Sequence, residues 1–272
     1  MNNIKIVGYS ERGAMNALFY GIALNKDEKA ANEAMNEFLH MAGERETFQD
    51  FELYSEFSLS GFGDPDLVIT AKNELGKTIV FFIEAKASAG GYYELDEQKN
   101  HHEEYLKDHT KYNKNHTSNL FFQLKEKFLL LKHGPNNDSR TTIIDRKRKL
   151  GNNEIVNKFY EEIKKDLRDS RYIAIIPKQK EGQENPVSME FKNENDSCEF
   201  KIHLVYWEDI KENEITAMNA SGYYEYLDSL KEEGLEMAIL ADGIPATTSI
   251  KNENDYRIRE IPMDQDLGTE GY

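Results

Sequence analysis

Two short apolar runs held apart by a glycine-bearing turn constrain this chain more tightly than any other feature in it. Leu67-Val68-Ile69 and the run 78–83 flank Asn73-Glu74-Leu75-Gly76-Lys77. Apolar runs of this length, bounded by turn residues, read as strands. A three-residue hairpin loop needs a left-handed residue at its end, and Gly76 adopts that conformation without steric cost. With Glu74-Leu75-Gly76 as the loop, the register of the ladder follows. One step past the apolar residues, Asp66 stands opposite Glu84.

Directly opposed residues on a strand pair have Cβ atoms about 4.5–5.5 Å apart. Two ionised carboxylates at that separation repel, and near a sheet centre water relieves little of it. A shared proton, a nearby cation or a divalent metal must offset the repulsion. Lys86 follows Glu84 by two residues and so falls on the same face of the strand. Two acids and an ammonium at one strand end suit phosphodiester hydrolysis. A metal there polarises the phosphate and lowers the pKa of a water, and the lysine orients that water or neutralises developing charge. Oxygen-only ligands favour magnesium, with manganese as a substitute, over zinc. Taken singly, the residues have plainer roles: Asp66 as a turn cap beside Asp64 and Pro65, Glu84 and Lys86 as a surface ion pair. A retaining glycosidase also sets carboxyls about 5–5.5 Å apart, but an adjacent lysine fits phosphate better.

Around this hairpin the periodicity alternates between helix and strand. Ser10 is an N-cap for a helix over 11–24, in which Glu11, Met15, Leu18 and Ile22 share one face. A carboxylate at Glu11 on that apolar face needs a partner, and if this helix packs beside the hairpin, a metal held there supplies one, directly or through water. Asp27 caps a second helix to about residue 42. Residues 51–60 read as a strand with Phe51, Leu53, Ser55, Phe57 and Leu59 on one face. A polar helix runs to about 109, an apolar helix spans 120–131, and an amphipathic helix spans 154–168. Strands follow at 172–176 and 200–207, separated by a long polar excursion over 178–197. Residues 223–241 have helical character. The expected fold class is α/β (α+β), a central mixed sheet flanked by helices. One domain over 1–250, with helical insertions at about 90–170, precedes a poorly ordered acidic tail over 251–272.

The motifs Gly61-Phe62-Gly63-Asp64-Pro65-Asp66 before one strand and Glu84-Ala85-Lys86 after the next resemble the PD-(D/E)xK nuclease superfamily. Gly8-Tyr9-Ser10-Glu11-Arg12 is similar to the start of archaeal Holliday-junction resolvases. The resemblance covers residues 8–86. It implies a restriction-endonuclease-like core and a metal-dependent endonuclease acting on DNA in restriction, defence or repair. It implies Asp66 and Glu84 as metal ligands, Lys86 as the catalytic lysine and Glu11 as the first-helix acid. Gln123 and Lys125, on the helix that packs after this strand, are its further contributions to the site.

Charge bears on the partner. The chain has 34 Lys+Arg against 50 Asp+Glu, a net charge of −16, which repels DNA at long range. The basic residues concentrate between 101 and 171, and Arg146, Lys147, Arg148 and Lys149 form a candidate phosphate contact. Five of the seven histidines lie in the same stretch; on His101, His102, His109 and His116 a solvated helix face is a simpler expectation than a metal site. The single cysteine, Cys198, excludes an internal disulfide and suits a reducing cytoplasm. The longest apolar run, Ile79-Val80-Phe81-Phe82-Ile83, is far too short to span a membrane. No Walker-type glycine loop or Gly-x-Ser-x-Gly elbow is present. The alternative function is a non-catalytic nucleic-acid-binding or protein-interaction module on the same fold. A protein partner, or a homodimer for two-strand cutting, is compatible with the acidic ends.

Overall fold

Strands β2 (Leu67–Asn73) and β3 (Thr78–Ala85) form the expected hairpin. Their ladder runs from Lys72↔Thr78 to Leu67↔Ile83, the register set by the glycine turn. Gly76 has φ 73°. Its N–H donates to the Asn73 carbonyl at 2.8 Å, and the Asn73 N–H donates to the Lys77 carbonyl at 3.0 Å. The Asn73 side-chain oxygen accepts from Leu75 and Lys77 N–H and so seals the turn.

The computed structural model describes residues 15, 18–19, 22–23, 27–55, 57–86, 95–107, 118–134, 154–164, 170–179, 184–193, 198–212, 238–240 and 244–246. Around the hairpin lie β1 (Phe48–Ser55), β4 (Ser170–Ile176), β5 (Ser188–Asn193) and β6 (Cys198–Tyr206). They form one six-stranded sheet in the order β1-β2-β3-β4-β6-β5. β1, β2 and β3 pair antiparallel, β3, β4 and β6 pair parallel, and β5 returns antiparallel on the edge. The sheet is mixed and flanked by helices on both faces, an α/β fold.

Alternation along β3 sends its side chains to two cores. Ile79, Phe81, Ile83 and Ala85 face the helix Glu28–Met41 and the helical residues Met15, Leu18, Phe19 and Ile22. Val80 and Phe82 face the helices Leu120–His133 and Glu154–Ile163. A three-layer arrangement follows, and it explains why β3 reads as a continuous apolar run. Asp27 caps the Glu28–Met41 helix as expected, accepting from Lys29 and Ala30 N–H. Within that helix, buried Asn36 brackets Phe48, accepting from its N–H at 2.7 Å and donating to its carbonyl at 2.9 Å. This pins the edge strand β1 to the helical layer. Among the described residues no helix is long and apolar enough to cross a membrane.

Four expectations shift. β1 begins at Phe48 and ends at Ser55, with a register irregularity between Gln49 and Glu52 where Asp50 has φ 54°. Phe57 and Leu59 therefore leave the face of Phe51 and Leu53 and join the other core with Phe62, in a single turn of 3-10 helix at Ser60–Phe62. The polar excursion before β6 contains β5, whose Phe191 is buried against Phe200 while Glu190 and Lys192 face solvent. A half-solvated edge strand offers few apolar residues to periodicity, so the segment reads as polar. The amphipathic helix ends at Ile163. Residues 238–240, expected within a helix, form a strand β7 (Ala238–Leu240) paired with β8 (Ile244–Ala246). The intervening Asp242-Gly243 is a hairpin signal that the helical reading passed over. The tail expected over 251–272 lies outside the described residues.

Candidate functional site

The carboxyl end of β3 gathers the acids and amines that the hairpin register brings together. Glu84 is the last side chain of β3 on the Val80–Phe82 face, and it is fully buried. Asp66, half-buried, enters β2 across from it and accepts the Ala85 N–H on Oδ2 at 2.7 Å. Lys86 follows, 2% exposed, its N–H donating to the Ile175 carbonyl of β4 at 2.8 Å. Even-numbered positions of β2 and β3 share this face, as Val68, Val80 and Phe82 do.

A residue absent from the expected set completes the arrangement. Lys127 of the Leu120–His133 helix lies 2.9 Å from Glu84 Oε1, and both side chains have zero exposure. This contact is a pairing of charges rather than an aligned hydrogen bond. Among the described residues, neither Glu84 oxygen nor Lys127 Nζ has a hydrogen-bond partner with good geometry. Burial pushes the Glu84 carboxyl up to about 7; Lys127 and Lys86 pull it down, and Asp66 pushes it up. Removal from water thus outweighs two neighbouring ammonium groups. Lys127 also lies beside the loop that leads to Asp66. Gly63, with φ 81°, leaves room in which an added Cβ would sit 3.1 Å from Lys127 Nζ. The loop that delivers Asp66 therefore passes close to the same ammonium that pairs with Glu84.

The other expected contributors divide. Lys125 and Glu126 are buried on the Leu120–His133 helix, 3% and 5% exposed. Gln123, one helical turn before Lys127 and hence on its face, has a buried Oε1 with no hydrogen-bond partner among the described residues. Glu11 and the basic run Arg146, Lys147, Arg148 and Lys149 lie outside the described residues. His109 and His116 do as well. His102 is not on a solvated face: it is 3% exposed, with its ring 5.1 Å from that of Phe191. His101 is half-exposed, near Glu97 at 3.9 Å. Helix Leu95–Lys107 packs its 98 and 102 positions inward, and the Gln98 side chain caps the next helix by accepting from Leu120 N–H at 2.8 Å.

The signal for Lys127 was present in the sequence but ambiguous. A helix this apolar carries Gln123, Lys125, Glu126 and Lys127 in one turn and a half. A charged residue in a helix buried nearly all round needs a partner, and which lysine meets Glu84 depends on the helix's rotation against the sheet.

Asp66 and Glu84 offer hard oxygen donors, and the Glu84 oxygens lack aligned hydrogen-bond donors, so the pair fits magnesium or manganese chemically. Among the described residues no group of three or more His, Cys, Asp or Glu side chains is clustered to hold a metal. No family model, no curated protein and no solved structure matches the chain.

Proposed function

We propose that this chain is a divalent-metal-dependent nuclease that hydrolyses DNA phosphodiester bonds, an endonuclease of restriction, defence or repair type on a PD-(D/E)xK core. One observation carries the reading: Asp66, Glu84 and Lys86 meet at one end of β2 and β3, with the Glu84 carboxyl fully buried among them. Asp66 and Glu84 would hold Mg²⁺, or Mn²⁺ in its place, with Glu11 completing the set. When bound, the ion lends positive charge to the phosphate and acidity to an attacking water. The chain's own residues do the rest. Lys127 pairs with the Glu84 carboxylate beside the loop before Asp66. Lys86 supplies a proton-bearing amine that aligns the water or offsets charge building on the phosphate. Arg146, Lys147, Arg148 and Lys149 contact the phosphate backbone, and Gln123, on the helix face of Lys127, lines the approach. A homodimer would serve two-strand cutting, and the cytoplasm is the expected compartment.

The test is incubation of the chain with linear, circular, branched and single-stranded DNA, and with RNA, in Mg²⁺, Mn²⁺ or a chelator. DNA cleavage that requires the metal, and is abolished in Glu84→Ala and Lys86→Ala while both variants stay folded, is the expected result. Full activity in both variants rules the proposal out.

A second reading has its own observation. The Glu84–Lys127 pair is closed off from solvent and already opposes one positive charge to one negative. That favours a non-catalytic nucleic-acid-binding or protein-interaction module on the same fold. Titration of Mg²⁺ or Mn²⁺ while observing Asp66 and Glu84 by NMR separates the two, because a module of this kind leaves both carboxylates unmoved.

A further inference from the structure

The chain contains a single tryptophan, and its indole is spent on the main chain of Lys86. Trp207 opens the short helix Trp207–Glu212 directly after β6. Its ring is fully buried in the core on the far side of the sheet from Glu84, with Ile83, Ala85, Ile175 and Val205. The Nε1–H donates to the Lys86 carbonyl at 3.0 Å, across 121 residues of sequence. A buried indole N–H needs an acceptor, and here the acceptor belongs to the residue at which β3 leaves the sheet. The last ladder pair of β3 with β4 is Ala85↔Ile175. Beyond it, Lys86 is held by two bonds: its N–H to the Ile175 carbonyl, and its carbonyl to Trp207.

With both main-chain groups of Lys86 fixed by distant parts of the chain, the direction of its Cα–Cβ bond is fixed too. Trp207 grips from the face of the sheet that carries Ile83 and Ala85, and Lys86 lies within electrostatic reach of Glu84, whose side chain meets Lys127 on the other. A phenylalanine would fill most of the same space; the N–H is what ties the core to Lys86.

We infer that Trp207 is a positioning residue for Lys86, acting through the indole N–H bond to the Lys86 carbonyl. The catalytic part of this inference rests on the nuclease reading; the geometric part does not. Because the tryptophan is unique, biosynthetic replacement with β-(3-benzothienyl)alanine exchanges the N–H for sulfur at this position alone and keeps the ring size. 5-Fluorotryptophan, which retains the N–H, is the matched control, and Trp207→Phe is the genetic counterpart. The benzothienyl protein should melt cooperatively, show shifted Lys86 amide and Nζ resonances, and lose on the order of tenfold in kcat on DNA with KM within about twofold. The fluorotryptophan protein should keep wild-type kcat and Lys86 resonances. Unchanged Lys86 resonances in the benzothienyl protein overturn the inference, as does an equal kcat loss in the fluorotryptophan control. If neither wild-type nor variant protein cleaves DNA, the nuclease reading falls, and the Lys86 resonances alone decide whether Trp207 positions that residue.

Discussion

At Glu84, burial outweighs the pull of two lysines, and a carboxyl ordinarily ionised near 4.5 is pushed up to about 7. The folded chain therefore keeps a proton that the unfolded chain gives up. Stability drawn from this group is complete below about pH 4.5 and is lost as the pH rises through about 7. Comparison with Glu84→Gln isolates it from His203, whose imidazole burial pushes the opposite way. The unfolding free energy of wild type minus that of Glu84→Gln should fall between pH 4.5 and 7, on the order of 3 kcal/mol in all. Urea denaturation across that range checks it, and a flat difference contradicts it. Lys127 gives a second prediction. At a pH above about 7, where Glu84 ionises in the folded chain, Lys127→Met removes the buried counter-charge, a loss of about 3–5 kcal/mol, and Glu84→Gln in the same chain should recover a substantial part of it. Asp66, Glu84 and Lys86 were legible because a tight turn fixes register over the 21 residues from Asp66 to Lys86. Lys127 was not, because its partner lies 43 positions away.

The elements that hold these residues are stiffened by local devices of unequal weight. Gly76 and Gly63 share a left-handed backbone, φ 73° and 81°. An added Cβ at Gly76 meets nothing within 4 Å, whereas at Gly63 it meets Lys127 Nζ at 3.1 Å. Gly76→Ala should cost only the backbone term, about 1–2 kcal/mol, and leave metal-dependent cleavage intact. Gly63→Ala should cost more and reduce cleavage, since it displaces the ammonium that pairs with Glu84. Thermal melts and cleavage rates on the two variants check this, and equal effects would separate the loop from the site. The Glu28–Met41 and Leu120–His133 helices were readable from their caps and apolar spacing, Asp27 accepting from two N–H groups and Asn119 from that of Phe122. β5 was not, because one face of an edge strand is solvated and its apolar signal halves.

Across the molecule, the parallel crossover from β3 to β4 and on to β6 aligns the carboxyl ends of the three central strands, where ligands bind in open α/β sheets. A net charge of −16 opposes DNA at a distance, so the DNA binding that the proposed function requires would have to come from local basic groups. Replacing Arg146, Lys147, Arg148 and Lys149 with Gln should weaken DNA binding. It should also flatten the dependence of log K on log salt by about 0.9 for each phosphate no longer neutralised. Fluorescence anisotropy on a labelled duplex from about 50 to 200 mM salt measures it, and an unchanged slope removes the cluster from the interface. The sequence by itself determined the hairpin, its register, and the acids and lysine at its end, because turn geometry and two-residue alternation act between near neighbours. Only the tertiary structure decided that Lys127 meets Glu84, that Trp207 holds Lys86 and that a polar stretch becomes an edge strand. Each of these depends on how layers distant in the chain are rotated and stacked against the sheet, which no local pattern of residues specifies.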